Sequence, residues 1–222
     1  MRTEPVIACS GVGRAYRTDS GEVWAVRGVD LEVERGSLTV LAGPSGAGKS
    51  TLLRIIAALD RPTEGSITID AVETGGMPDR RRRRWRRRNL GYVFQDPADN
   101  LLPYLTVDEH LQMAATLRGG VENIDELARH LEIDDLSGER PKRLSSGQQQ
   151  RVALAMAAVG DPAVVVADEP TAELDQESAA LAIHTLLALR SAGSTVVVAS
   201  HDADVIRTAD SVHRVEHRRG AT

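Results

Sequence analysis

The octapeptide Gly43-Pro44-Ser45-Gly46-Ala47-Gly48-Lys49-Ser50 limits the folds open to this chain more than any other feature. It matches the phosphate-loop pattern G-x-x-x-x-G-K-[ST], which works only between a buried strand and a helix. Both neighbours are legible: Leu38–Ala42 reads as a strand, and Lys49 to about Leu59 as a helix. Glycines let backbone N–H groups curl around an anion, and the helix N-terminus adds the positive end of its dipole. Lys49 then reaches β- and γ-phosphates, the Ser50 hydroxyl ligates Mg²⁺, and Thr51 can bond an α-phosphate. Lys49 is also one of only two lysines, with Lys142, among 27 Lys plus Arg.

A strand–loop–helix unit of this kind belongs in an α/β fold, and the sequence supplies the rest of one. Ser66–Ile69 reads as a strand, as does Tyr92–Phe94, which ends at Gln95. Val164–Ala167 and Thr195–Ala199 are β-branched runs of the type buried on both faces of a parallel sheet. The first ends in Asp168 and Glu169, the second in Ser200, His201 and Asp202. Open α/β sheets bind ligands outside the carboxyl ends of their strands, so these residues are expected in one crevice. There Asp168 would hold Mg²⁺ through its water shell, and Glu169 would polarise an attacking water as general base. From Pro97 to about Arg143 the text is helical and polar, and Gln148–Val159 follows as an apolar-striped helix.

The remaining composition excludes classes rather than naming one. With 222 residues, 41% hydrophobic and 27% charged, the chain reads as an ordinary soluble globular protein. Its longest apolar runs, such as Ala163–Ala167 and Val196–Ala199, fall far short of the ~20 residues that cross a bilayer. Met1 to Ser10 lacks a basic start and an apolar stretch, so a cytoplasmic location is expected. The single Cys9, in the strand-like run Val6-Ile7-Ala8-Cys9, cannot form an internal disulfide and reads as a buried bystander. Net charge is −5, yet eight arginines crowd Arg80–Arg88, interrupted only by Trp85. With six aromatics in the whole chain there is little to stack on bases, so a solvated helical face is favoured over a specific nucleic-acid patch.

Leu144-Ser145-Ser146-Gly147-Gln148 opens a helix expected to begin near Gln149. Its serines read most simply as N-caps, but Ser plus Gly at a helix start also makes a second anion-binding mouth. One nucleotide does not need two mouths. Two chains facing each other would share them.

Taken in order, the phosphate loop, Gln95, Leu144–Gln148, Val164–Glu169, Asp175 and His201 resemble the nucleotide-binding subunit of an ABC transporter. The resemblance covers nearly the whole chain. It implies a phosphate-loop core over 1–95 and 144–222, an N-terminal antiparallel β-subdomain, and an inserted helical subdomain over about 96–143. It further implies ATP and Mg²⁺ as ligands, with Ser50, Gln95 and Asp168 at the metal and Tyr16 stacked on the adenine. Gln95 would also sense the lytic water, and His201 would bond the γ-phosphate and the general base. Ser145 and Gly147 would meet the γ-phosphate of a partner's ATP, Gln148 would belong to the same nucleotide-binding set, and Asp175 would link the two sites. The implied partners are a second ATP-binding subunit, identical or different, and a separate membrane permease, without specific nucleic acid. That places the chain peripherally on the inner face of the membrane. Phe94 to Val107, with its Asn-Leu-Leu-Pro stretch, is similar to the lipoprotein-release and macrolide-efflux branch. Ser146 departs from the family's usual first signature glycine, and Ala172-Glu173-Leu174 from the smaller residues before Asp175. The alternative within the resemblance is a soluble ABC-type ATPase acting on nucleic acid or ribosomes.

Overall fold

A computed structural model of the chain describes residues 4–19, 21–120 and 124–216. In chain order it contains β1 (Ile7–Thr18), β2 (Gly21–Val33), β3 (Leu38–Ala42), α1 (Lys49–Ile56), β4 (Glu64–Ile69) and β5 (Val72–Glu73). Then follow α2 (Asp79–Asn89), β6 (Leu90–Val93), α3 (Val107–Arg118), α4 (Ile124–His130) and α5 (Ser146–Ala158). The last elements are β7 (Val164–Asp168), α6 (Gln176–Ser191), β8 (Val196–Ser200), α7 (Ala203–Thr208) and β9 (Ser211–Arg214).

The strands form two sheets. β6-β7-β8-β3-β9 lie in that order and are all parallel, with Val40 opposite Val198 and Ala167 opposite Val198 on its other side. β2-β1-β4-β5 form an antiparallel sheet. Every residue of β3, β7 and β8 is buried, which explains their unbroken apolar text. Successive side chains of one strand enter different cores. Val40, Val165, Val196 and Val198 pack with α5, α6 and the helices of the 97–143 stretch. Leu41, Val164, Val166 and Val197 pack instead with α1 and the inner face of the antiparallel sheet.

Several boundaries differ from the sequence expectation. α1 ends at Ile56 rather than Leu59, because the chain turns at Ala58, whose φ is +50°. β6 runs over Leu90–Val93 and excludes Phe94, whose N–H is instead bonded by the Asn100 side chain at 2.9 Å. α5 starts at Ser146, not near Gln149, because Ser145 and Gln148 close a reciprocal capping box one turn earlier. Between residues 97 and 143 the described residues hold only helices, short 3₁₀ turns and loops. The guanidinium of Arg118 on α3 closes the end of α5, donating to the carbonyls of Met156, Ala157 and Val159.

Candidate functional site

The carboxyl ends of β3, β7 and β8 adjoin one another, and their loops form one cleft of ≈ 330 Å³. Ala25, Ser45, Gly46, Gly48, Lys49, Ser50, Thr51, Gln95, Glu169, Ala172 and His201 line it. Of these, Ala25 and Ala172 carry no chemistry that a sequence reading would single out. Ala25 matters through its backbone: a Cβ on Gly48 would meet the Ala25 carbonyl at 2.3 Å. Gly48 also has φ +94°, so this turn into α1 admits glycine on two separate grounds.

Lys49 is buried, and its Nζ donates to the carbonyl oxygens of Gly43 and Pro44 at 2.8 and 3.2 Å. The same ammonium lies 3.1 Å from Glu169 Oε1. Glu169 Oε2 is 3.0 Å from Nδ1 of His201, which stands exposed at the end of β8. One carboxylate therefore bridges the phosphate-loop lysine and the histidine. On the floor, the Ser50 hydroxyl donates to Asp168 Oδ1 at 3.0 Å. Burial pushes the Asp168 carboxyl above the usual carboxylate range, against the pull of the Ser50 hydrogen bond. Burial also raises the phenol of Tyr92 on β6, and the Asp168 charge adds to it. A buried carboxylate with a hydroxyl beside it and Gln95 on the cleft wall is a hard oxygen donor set of the kind Mg²⁺ takes. Among the described residues no cluster of three or more His, Cys, Asp or Glu competes with it.

The loops after β7 and β8 are joined behind this face. Thr171 Oγ1 donates to Asp202 Oδ2 at 2.9 Å, and the Glu169 N–H donates to the Ala199 carbonyl at 2.9 Å. The other oxygen of Asp202 accepts from the N–H of Asp204 and caps α7. Sequence reading expected Asp202 near the crevice but passed over Thr171 and the bond between them, because a lone threonine and an aspartate 31 residues apart give no signal of contact.

The remaining expected site residues lie outside the cleft lining. Tyr16, on β1, is 39% exposed, and the Arg14 guanidinium stacks 4.8 Å from its ring centre. The Ser145 hydroxyl accepts from the Gln148 N–H at 3.2 Å, and Gln148 Oε1 accepts from the Ser145 N–H at 2.9 Å. Gly147 is buried where a Cβ would strike the Ser178 side chain at 2.6 Å. Asp175 caps α6 by accepting from the Ser178 N–H and hydroxyl, and those bonds hold its carboxyl below the usual range. The structure thus brings Lys49, Ser50, Gln95, Glu169 and His201 together along the cleft, with Asp168 joined to them beneath it through Ser50. It sets Tyr16, Ser145, Gly147, Gln148 and Asp175 outside that lining.

Residues 26–172 match the family described as ABC transporter. An uncharacterised ABC transporter ATP-binding protein of Thermotoga maritima is 38% identical over 214 residues, 94% of this chain and 90% of that protein. The lipoprotein-releasing system ATP-binding protein LolD of Hyphomonas neptunium is 36% identical over 215 residues, 94% and 93% of the two chains. The macrolide export ATP-binding/permease protein MacB of Burkholderia thailandensis is 36% identical over 91% of this chain, which spans 31% of that protein. Among solved structures, the dimeric post-hydrolysis state of the cassette MJ0796 bound to ADP and Pi has a TM-score of 0.83. It is 32% identical, with 95% of this chain and 94% of that one covered.

Proposed function

Since this chain belongs to the ABC transporter family, we propose that it binds and hydrolyses ATP as the energy-supplying subunit beside a separate membrane permease. The observation that carries the reading is Glu169, held between the phosphate-loop ammonium and His201 at the mouth of the cleft. Entering phosphates compete with Glu169 for Lys49. Once the ammonium turns to the β- and γ-oxygens, the carboxylate is free to accept a proton from water. His201 keeps that carboxylate oriented and lies beside the terminal phosphate. Ser50, Asp168 and Gln95 would hold Mg²⁺, which would neutralise phosphate charge during hydrolysis.

A single chain has no use of its own for the serine-glycine mouth at α5. Ser145, Gly147, Gln148 and Asp175 lie outside the cleft lining, which supports a composite working site. A second ATP-binding subunit, identical or different, presents its mouth to this chain's nucleotide, and Tyr16 stacks on the adenine. LolD and MacB lend support, as relatives named for lipoprotein release and macrolide export, and so does the dimeric MJ0796 cassette. Among the described residues no helix is long and apolar enough to cross a membrane, so transport requires the permease. On this reading residues 96–143 form the helical subdomain between the two segments of the core, and the subunit sits on the inner face of the membrane.

Steady-state ATP turnover tests the assignment. Glu169→Gln is expected to keep nucleotide binding and lose turnover by about 10²–10⁴, the usual worth of a general base. Normal turnover by that variant would remove Glu169 from the role, and with it the reading of the cleft.

A further inference from the structure

The arginine run is not a uniformly charged rod. α2 turns about 100° per residue, so its side chains sort by direction. Arg82, Trp85, Arg86 and Asn89 face inward. Arg82 is 9% exposed, Trp85 packs on the core beneath the antiparallel sheet, and Arg86 donates to the Ala58 carbonyl at 3.2 Å. Arg80, Arg81, Arg83, Arg84, Arg87 and Arg88 are all exposed and fall on one continuous arc of about 160°. Among the described residues none of these six side chains makes an ion pair or hydrogen bond, whereas Arg61 and Arg82 already share Asp79. Six uncompensated cations on one side of an eleven-residue helix repel one another, and burial and its arginine neighbours hold the Arg86 guanidinium below its usual range. With no carboxylate of the described residues paired to these six side chains, an anionic surface outside the molecule is their natural counterpart.

Next to the arc is an apolar groove of ≈ 260 Å³, with Arg87, Tyr92, Phe94, Met113, Leu117 and Met156 among its lining residues. Phe94 is 41% and Leu117 47% exposed. A basic arc continuous with exposed apolar side chains is the pairing found where proteins lie against anionic membranes. Guanidinium forks suit phosphodiester headgroups, and the shortage of aromatic side chains argues against nucleic acid. We propose that the outer face of α2 binds anionic phospholipid headgroups and so orients the subunit against the membrane beside its permease. The choice of a membrane over nucleic acid rests on the transporter reading above.

Sedimentation of the full chain with vesicles tests this without hydrolysis. Expected is binding to vesicles containing phosphatidylglycerol, absent from pure phosphatidylcholine vesicles and lost as salt rises from about 0.05 M to about 0.5 M. Replacing Arg80, Arg81, Arg84 and Arg88 by Gln should weaken partitioning by two orders of magnitude or more, at roughly fivefold per cation. The same four positions as Lys should keep binding within a few-fold, and ATP turnover should be unchanged in both variants. Equal binding to neutral vesicles, or a Gln variant that partitions like the wild type, would overturn the proposal while leaving the ATPase reading intact. Tighter binding to random duplex DNA than to anionic vesicles at one salt concentration would overturn it as well.

Discussion

Glu169 has φ +44°, a left-handed conformation that costs a non-glycine residue on the order of 1–3 kcal/mol and persists only where its surroundings over-determine it. The surroundings here are specific: the Ala199 carbonyl on its N–H, Lys49 and His201 on its carboxylate, and the Thr171–Asp202 bond two residues on. Thr171 therefore acts as a positioning residue for two loops that must stay in register. Thr171→Val keeps the side-chain volume and removes the hydroxyl. It is expected to lower kcat roughly tenfold, about 1.4 kcal/mol of barrier, with KM for ATP changed by less than about twofold. Thr171→Ser should restore most of the rate. In a His201→Ala background Thr171→Val should add little, since the geometry it protects is already gone. Additive losses in that double variant would show that the hydroxyl serves stability alone.

At the scale of elements, His110 on α3 illustrates a buried group that ties a loop to a helix. Its Nδ1 donates to the Thr106 carbonyl at 2.7 Å and its Nε2 accepts from the Leu102 N–H at 2.8 Å, a pairing only the neutral ring satisfies. Burial lowers its pKa below the ordinary 6.5. The folded state thus binds fewer protons than the unfolded chain, and stability present above about 6.5 is lost as pH falls through the folded value. Denaturant titrations from pH 7.5 to about pH 5 should show that loss in the wild type, and His110→Ala should flatten it. Some slope should remain, because burial lowers the pKa of His213 as well. Elements such as β3, β7 and β8 were legible in the sequence because burial on both faces leaves an uninterrupted β-branched run. The phosphate loop was legible because its chemistry needs eight consecutive residues. β1 and β2 reach 12 and 13 residues but showed only the Val6–Cys9 fragment, since register shifts between Cys9 and Val12, and again around Arg14, break the alternation. The Thr171–Asp202 bond and the place of Ala25 were not legible, because both depend on contacts between distant segments.

For the whole molecule, the composite reading makes ATP an adhesive between two copies. Glu169→Gln protein should pass from monomer to dimer on adding ATP, and ADP, lacking the γ-phosphate, should leave it monomeric. Light scattering after size exclusion reads this directly. A Ser145→Arg, Glu169→Gln double variant should stay monomeric, because its bulk fills the mouth. Ser145→Ala loses the α5 cap, typically about 1 kcal/mol, but leaves the mouth open, and should still dimerise in the Glu169→Gln background. If both behave alike, the segment is a helix cap only. Another whole-molecule consequence comes from Cys9, which lies between Leu31 on β2 and Ile67 on β4. It is 5% exposed, and burial, aided by Asp30, pushes its thiol up to about 12. Since the thiolate is the reactive form, Cys9 should stay silent toward maleimides while the antiparallel sheet is closed. A cysteine placed anywhere on the surface is then the sole site for a fluorophore or spin label, with no native thiol to remove first. Left to itself, the slow modification of Cys9 times how often that sheet opens.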